Sequence, residues 1–260
     1  MTLARIIPTV ALVGVMALVV SPVAVALFKM GPASSGTPAP AQSNASTKPT
    51  KLAGFDGERA YGYLLEQCKI GPRVSGTEGN QMLRRQLKEH FESLGAQVTL
   101  QAFVARHPMT GEPVEMENVM ASWQPDRARR VVIGAHFDTR PHADREASAK
   151  RRAEPFLGAN DGASGVAVLM ELAHVLADLK PSVGVDLVAF DGEELVFDER
   201  GEYFLGSTHF AQDYLRRKAS VTYVAGIVVD MVGDKSLDIR ADAVSARERS
   251  EEHTSELQSR

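Results

Sequence analysis

The chain has 260 residues, of which 44% are hydrophobic and 6% aromatic, and it carries 29 basic and 33 acidic side chains. This composition excludes a disordered, a collagen-like and a disulfide-framework protein, and the length suffices for one large or two small domains. The net charge is −4 for the whole chain and −6 for residues 51–248, which argues against a protein that binds the phosphate backbone of nucleic acids.

The first 30 residues are predicted to be an export segment. Residues 6–28 are uncharged and mostly apolar, and they follow Arg5 and the free amine. This stretch of 23 residues is long enough to span a bilayer, which favours a membrane anchor, whereas Ala24 and Ala26 suit cleavage by a signal peptidase. Both alternatives place the rest of the chain outside the cytoplasm, in the periplasm or another extracytoplasmic space.

Residues 31–50 are rich in Pro, Ala, Ser and Thr and contain one charged side chain, so we predict a linker that does not fold. Cys68 is the only cysteine of the sequence, and no disulfide can therefore form within the chain.

Residues 51–248 are predicted to form one domain of alternating helices and strands. Thr77 is expected to cap a helix that runs to Leu94 and stops at Gly95. Short continuous apolar runs are typical of strands that are covered on both faces, and the pattern predicts an α/β sandwich with a mostly parallel sheet. The predicted strands are residues 98–102, 119–123, 131–135, 185–190 and 224–229, and the later helices are residues 165–179 and 208–217.

Acidic residues follow three of the predicted strands directly, and a fourth acidic turn precedes the helix at 165–179. Open α/β sheets place their sites at the carboxyl ends of their strands. One such turn alone would be interpreted as a helix cap or a solvated loop, but four of them with one histidine supply oxygen and nitrogen ligands that suit zinc. The candidate residues are His136, Asp138, Asp161, Glu193, Glu194 and Asp230.

Six stretches, in order, resemble the exported zinc aminopeptidase superfamily (peptidase family M28), which also contains the glutaminyl-peptide cyclotransferases. They are GPRVSGTEGN (71–80), GAHFDTRP (134–141), PFLGANDGASGVAVLMELA (155–173), AFDGEEL (189–195), YFLGSTHFA (203–211) and VVDMVGD (228–234). The resemblance covers roughly residues 55–240 and implies a three-layer, zinc-exopeptidase-like fold with one or two zinc ions.

The resemblance also implies roles for the candidate residues. His136 would bind the first metal of two-zinc members, and the carboxylate of Asp138 would orient the His136 side chain. Asp161 would be the ligand that bridges two metals, and Glu194 would be a terminal ligand.

The resemblance implies that the substrate is the N-terminus of a peptide or protein, and that two further residues take part in the reaction. By the resemblance Glu193 would be the general base. Asp230 would bind the second metal or, in single-zinc members, hold the α-amine of the substrate.

The choice between the two chemistries depends on one spacing. Eleven residues, 195–205, separate the glutamate pair from Gly206, and such an insertion is characteristic of the cyclotransferase branch, whereas GANDGASGVA is closer to the aminopeptidases. We therefore predict the bacterial glutaminyl-peptide cyclotransferase-like branch, with an aminopeptidase as the alternative. A non-catalytic ectodomain of the same fold is disfavoured, since the expected ligands from His136 to Asp230 are present.

The C-terminal residues are interpreted differently from the rest. Residues 249–259, RSEEHTSELQS, resemble the in-frame translation of a sequencing adapter, so we assign 249–260 to a library artefact. The family has a final zinc histidine late in the chain, and no credible counterpart precedes Glu248. We therefore expect a domain that is truncated at its C-terminus and binds zinc weakly.

Overall fold

The computed structural model describes residues 54–152, 154–197, 200–217 and 220–237. The predicted export segment, linker and adapter-like tail lie outside these ranges. Within the described ranges, none of the helices has the length and apolar character that a membrane crossing requires.

The described elements follow the predicted alternation of helices and strands. The helices are α1 (Gly57–Ile70), α2 (Glu78–Ser93), α3 (Ala149–Arg152), α4 (Ala163–Asp178) and α5 (Leu205–Arg217). The strands are β1 (Gln97–Arg106), β2 (Pro113–Trp123), β3 (Arg129–His136), β4 (Gly184–Phe190) and β5 (Thr222–Val228).

The ends of α2 confirm the predicted cap and stop. The Thr77 hydroxyl accepts a hydrogen bond from the backbone N–H of Asn80, which satisfies one of the free donors of the first turn. Gly95, two residues beyond Ser93, has a φ of 82°, a left-handed conformation that glycine adopts without strain.

The five strands form one mixed sheet in the order β1-β2-β4-β3-β5. Strand β3 runs parallel to β4 and to β5, whereas β2 runs antiparallel to β4 and to β1. The predicted α/β architecture is confirmed. Its parallel part is β4-β3-β5, and a hairpin through residues 107–112 adds β2 and β1 in the antiparallel sense.

Helices cover both faces of the sheet, so the molecule has three layers. Helices α1, α2 and α4 lie on one face, where α4 contacts β3 and β4. On the other face Phe210 of α5 packs against Val188 and Phe190. Successive residues of β4 point to opposite faces, and this strand is buried along its whole length as predicted.

The prediction that residues 224–229 form a buried strand is right about the strand and wrong about its burial. Ile227 and Val228 of β5 are 53% and 43% exposed. Among the described strands β5 pairs with β3 alone and forms an edge of the sheet. Side chains of β5 such as Ile227 and Val228 therefore lack the second neighbouring strand that β3 and β4 each have.

A buried ion pair joins the strands at the end of the sheet opposite to the acidic turns. The guanidinium of Arg130 in β3 donates two hydrogen bonds of 2.6 Å to the carboxylate of Asp186 in β4. Both side chains are buried. Ser122 of β2 and Tyr223 of β5 also donate to Asp186. This single carboxylate thus links four neighbouring strands.

Candidate metal centre

The carboxyl ends of β3, β4 and β5 lie at one edge of the sheet, and the predicted acidic turns meet there. His136 is the last residue of β3 and is 5% exposed. Glu193 and Glu194 follow β4, Asp230 follows β5, and Asp161 lies in the turn before α4. The fold therefore places the candidate residues side by side, although they are far apart in sequence.

Distances between side-chain atoms define the cluster around His136. Its Nε2 atom lies 3.1 Å from Oδ1 of Asp161 and 3.4 Å from Oδ1 of Asp230. His136 forms a second group with Glu193 and Glu194, and in each group the potential ligand atoms all lie within 4.8 Å of one another. The imidazole thus lies between two sets of carboxylates.

Asp138 fixes the turn that carries the glutamate pair. Its two carboxylate oxygens accept hydrogen bonds from the backbone N–H groups of Glu193 (3.0 Å) and Glu194 (2.9 Å). The predicted contact with His136 is looser, since Nδ1 lies 3.6 Å from Oδ1 of Asp138. The fully buried Asp138 carboxylate therefore positions the acids after β4 as well as facing the histidine.

Gly162, directly before α4, allows the backbone to approach His136 closely. Its φ is 88°, and a Cβ at this position would lie 2.9 Å from the carbonyl oxygen of Asp138 and 3.2 Å from Cε1 of His136. Any larger residue would need both a strained backbone and displacement of the imidazole.

Arg73 is a buried residue of the site that the sequence analysis missed. Its guanidinium donates hydrogen bonds to backbone carbonyls of Phe137, Leu157 and Gly158, among others. Burial lowers the pKa of Arg73. The residue holds the loop after β3 against the loop before α4. Its position in the GPRVSG stretch was the available signal, but nothing in that stretch predicts its partners.

Asp191 was also missed, although it belongs to the AFDGEEL stretch. Its carboxylate accepts hydrogen bonds from Ser75 Oγ (2.8 Å), Asn80 Nδ2 (2.9 Å) and the backbone N–H of Glu117 (3.2 Å). Burial raises its pKa to about 7. These contacts attach the start of the glutamate turn to α2 and β2.

Burial and mutual repulsion shift the protonation of the clustered groups. Burial raises the pKa of Glu193 to about 7, and burial with the nearby charge of Asp161 raises the pKa of Glu194 to about 8. Burial lowers the pKa of His136, but three neighbouring carboxylates raise it more, and the net shift is well upward. At neutral pH the metal-free site therefore retains protons that the same side chains have already released in an unfolded chain.

These shifts predict how the stability of the metal-free chain depends on pH. All three pKa values are raised. The stability that the two glutamates contribute is complete below about pH 4.5 and is lost as the pH rises through about 7 to 8. In a chelator, the unfolding temperature should fall by several degrees between about pH 5 and about pH 8. The unfolding temperature of the Glu193→Gln variant should fall less over this pH range. The control is Glu89→Gln at an exposed position, and its unfolding temperature should fall as much as that of the unmutated chain. Equal slopes for Glu193→Gln and the unmutated chain would contradict the prediction.

The donor set fits a divalent metal ion. Among the buried side-chain atoms of the described residues that make no hydrogen bond, four belong to this cluster, namely both ring nitrogens of His136, Oε2 of Glu194 and Oδ1 of Asp230. Buried polar atoms without partners are rare, because their lost hydration is then uncompensated. A cation between the imidazole and the carboxylates would satisfy these atoms and offset the repulsion among the acids.

Comparisons with protein families agree with this geometry. A model described as Peptidase family M28 matches residues 118–259, more than half of the chain. A second model, described as Domain of unknown function (DUF6517), matches residues 23–155, and its description assigns no activity.

The chain is similar to a glutaminyl-peptide cyclotransferase of Drosophila melanogaster, with 31% identity over 150 residues, which is 55% of this chain and 39% of that protein. The matches to the first three curated relatives cover 33% to 41% of their lengths, so the chain spans well under half of each.

Two solved structures are similar in fold as well as in sequence. The glutaminyl cyclase of Fimbriiglobus ruber is 38% identical, with a TM-score of 0.72, 77% of this chain and 71% of that chain covered. A Zn-dependent exopeptidase of Parabacteroides distasonis is 30% identical, with a TM-score of 0.64, 75% of this chain and 68% of that chain covered.

Proposed function

The chain belongs to peptidase family M28, and from this premise we propose that it is a zinc-dependent enzyme that acts on peptide N-termini as a glutaminyl-peptide cyclotransferase. The observation that carries the proposal is the convergence of His136, Asp161, Glu194 and Asp230 with unpaired buried ligand atoms. The similarity to solved glutaminyl cyclases supports the choice of reaction.

Zinc is the metal that this donor set and the similar zinc enzymes favour. We assign His136, Asp161, Glu194 and Asp230 as its candidate ligands, for one or two ions. The bound ion would polarise the carbonyl of the amide that reacts. Asp138 would support the site by fixing the turn that carries Glu194.

Glu193 is the proposed proton carrier. In the cyclisation, the α-amine of an N-terminal glutamine attacks its own γ-carbonyl carbon, a new C–N bond forms, and the bond to the amide nitrogen breaks. Glu193 takes the proton from the α-nitrogen and gives it to the departing ammonia. A carboxylate beside the reacting nitrogen can accept a proton and then donate it to the leaving group, which is the role of a general base and acid.

The segment between the glutamate pair and α5 supports the cyclotransferase branch. Its described ends are fixed beside the site, because the backbone N–H of Phe204 donates to the carbonyl of Glu193 and that of Leu205 to Gly192. Leu195 and Val196 are buried. The two described ends of the segment therefore lie beside the glutamate pair, whereas residues 200–203 are exposed.

The second candidate is a zinc aminopeptidase, and the two residue groups that share His136 favour it. Because the two groups share only His136, the remaining carboxylates offer ligands for a second ion, as in two-metal hydrolases. In that reaction Glu193 would deprotonate a water that attacks the first peptide bond. A non-catalytic domain is disfavoured, since the candidate base and candidate ligands are all buried or half-buried at one place.

An assay on two substrate sets tests the proposal. The 260-residue chain and, because its matches cover well under half of the curated relatives, the complete product of its gene are incubated with glutaminyl and with aminoacyl fluorogenic peptides. We expect ammonia release and pyroglutamate from the glutaminyl peptides, inhibited by a zinc chelator. Release of free amino acids without cyclisation would replace the cyclotransferase with the aminopeptidase, and no turnover of either substrate by the complete product would reject both.

We propose an extracytoplasmic location, with residues 6–28 either cleaved on export or retained as a membrane anchor. This assignment rests on the sequence of the first 30 residues. Likewise, the domain limits 51–248 rest on the sequence pattern.

A further inference from the structure

A second arginine, Arg140, makes direct contact with a candidate metal ligand. It lies in the loop after β3, and its Nη1 donates a hydrogen bond of 2.9 Å to Oε1 of Glu194. Both side chains are almost completely buried. The contact therefore takes place away from bulk water, where a charge-assisted hydrogen bond is strong and directional.

Two other side chains hold the guanidinium in place. Nε and Nη2 of Arg140 donate a pair of 2.8 Å hydrogen bonds to the two oxygens of Asp144. Nη1 also donates to the hydroxyl of Tyr203 at 3.1 Å. Asp144 belongs to the loop after β3 and Tyr203 to the segment before α5. Asp144 and Tyr203 thus fix the orientation in which the Arg140 guanidinium contacts Glu194.

The two oxygens of Glu194 have different surroundings. Oε1 accepts from Arg140, whereas Oε2 is buried and lacks a hydrogen-bond partner among the described residues. The backbone N–H of Glu194 is held by Asp138. Both ends of the residue are therefore restrained, and Oε2 stays without a partner in a side chain that has a carboxylate oxygen within 4.8 Å of a ring nitrogen of His136.

We propose that Arg140 is a positioning residue that holds Glu194 by Oε1 and leaves Oε2 as its single metal-binding oxygen, with Asp144 and Tyr203 keeping the guanidinium in register. The proposal rests on the proposed zinc site. Arg140 would act through Glu194 and would touch neither substrate nor metal. An ion pair that serves only stability would leave the metal affinity unchanged when it is altered.

Zinc titration of the 260-residue chain tests this role without any substrate. Arg140→Lys keeps the positive charge but cannot span Asp144, Tyr203 and Glu194 together. We expect its zinc affinity to fall about 10–100-fold, and Tyr203→Phe, which removes one hydrogen bond, to lose about twofold to fivefold. The matched control is Arg130→Lys, because Arg130 is also a buried arginine paired with an aspartate. Arg130→Lys should lower the unfolding temperature and leave zinc affinity unchanged.

Cobalt substitution supplies a second readout that a structural role would not move. If Glu194 is released, it can bind the ion through both oxygens, the coordination number rises, and the visible absorption of the Co²⁺-loaded Arg140→Lys variant falls below that of the unmutated chain.

Zinc affinity of Arg140→Lys within twofold of the unmutated chain would overturn the positioning role and leave the zinc enzyme intact. An unmutated chain that binds no zinc even at millimolar concentration would overturn both proposals. If circular dichroism shows that Arg140→Lys does not fold, Asp144→Asn and Tyr203→Phe decide, and unchanged affinity in both would overturn the role.

Discussion

Replacing Glu193 by glutamine should lower kcat by about 10²–10⁴-fold, the range that a general base contributes, while zinc stays bound. Glutamine keeps the shape of the side chain but cannot accept the proton that the reaction releases. The Asp138 contact to the backbone of residue 193 does not depend on this side chain, so the turn should keep its conformation. The kcat of Glu193→Gln is compared with that of the unmutated protein, in whichever form of the protein turns over substrate in the assay described above.

The neighbouring residue supplies the control. Glu194→Gln should lose more zinc affinity than the roughly 10–100-fold that loss of a supporting residue costs, because one candidate ligand changes from a carboxylate to an amide. Zinc content by mass spectrometry separates the two effects. If Glu193→Gln loses its zinc, Glu193 is a ligand rather than the base, and if it keeps its turnover, the proton takes another route.

The largest loss of stability is expected from Asp186→Asn. This change leaves Arg130 buried without a charged partner, and breaking a buried pair in this way costs about 3–5 kcal/mol. Tyr223 and Ser122 would also lose the charged acceptor that they share. Urea unfolding in the presence of a chelator, which removes the contribution of bound metal, measures the change in the free energy of unfolding.

An exposed pair provides the matched control for this measurement. Lys69 and Glu66 lie 3.3 Å apart on α1 with both side chains mostly exposed, and Glu66→Gln should change stability by less than about 1 kcal/mol. A double variant, Arg130→Met with Asp186→Leu, should recover much of the loss, because it removes both buried charges together. A change below about 1 kcal/mol for Asp186→Asn would contradict the assigned role of the pair.

The strands could be predicted from sequence because buried parallel strands are continuous apolar runs. Residues 131–135 and 185–190 lie within β3 and β4 almost at the predicted limits. The order of the strands could not be predicted in the same way. The placement of β2 beside β4 depends on contacts between distant segments, and the exposure of Ile227 follows from the edge position of β5.

The site was predictable where its residues directly follow strands. His136 and Asp230 were candidates because carboxyl ends of parallel strands meet at one edge. The residues that support the site were not predictable, because their partners are remote. Arg140 and Glu194 are 54 residues apart, and Arg73 and Gly158 are 85 apart. An arginine in a loop is ordinarily interpreted as solvated, and only its partners show that it is buried.

The hydrogen bonds of Arg73 affect how freely the loop around Leu157 can change. Every described acceptor of its guanidinium is a backbone carbonyl, which each residue type supplies. The path of the loop therefore depends on one distant arginine and on the glycines at 158 and 162, whereas Leu157 itself is 46% exposed. Side chains at the rim can then diversify, by evolution or by design, without rebuilding the frame that holds the metal ligands.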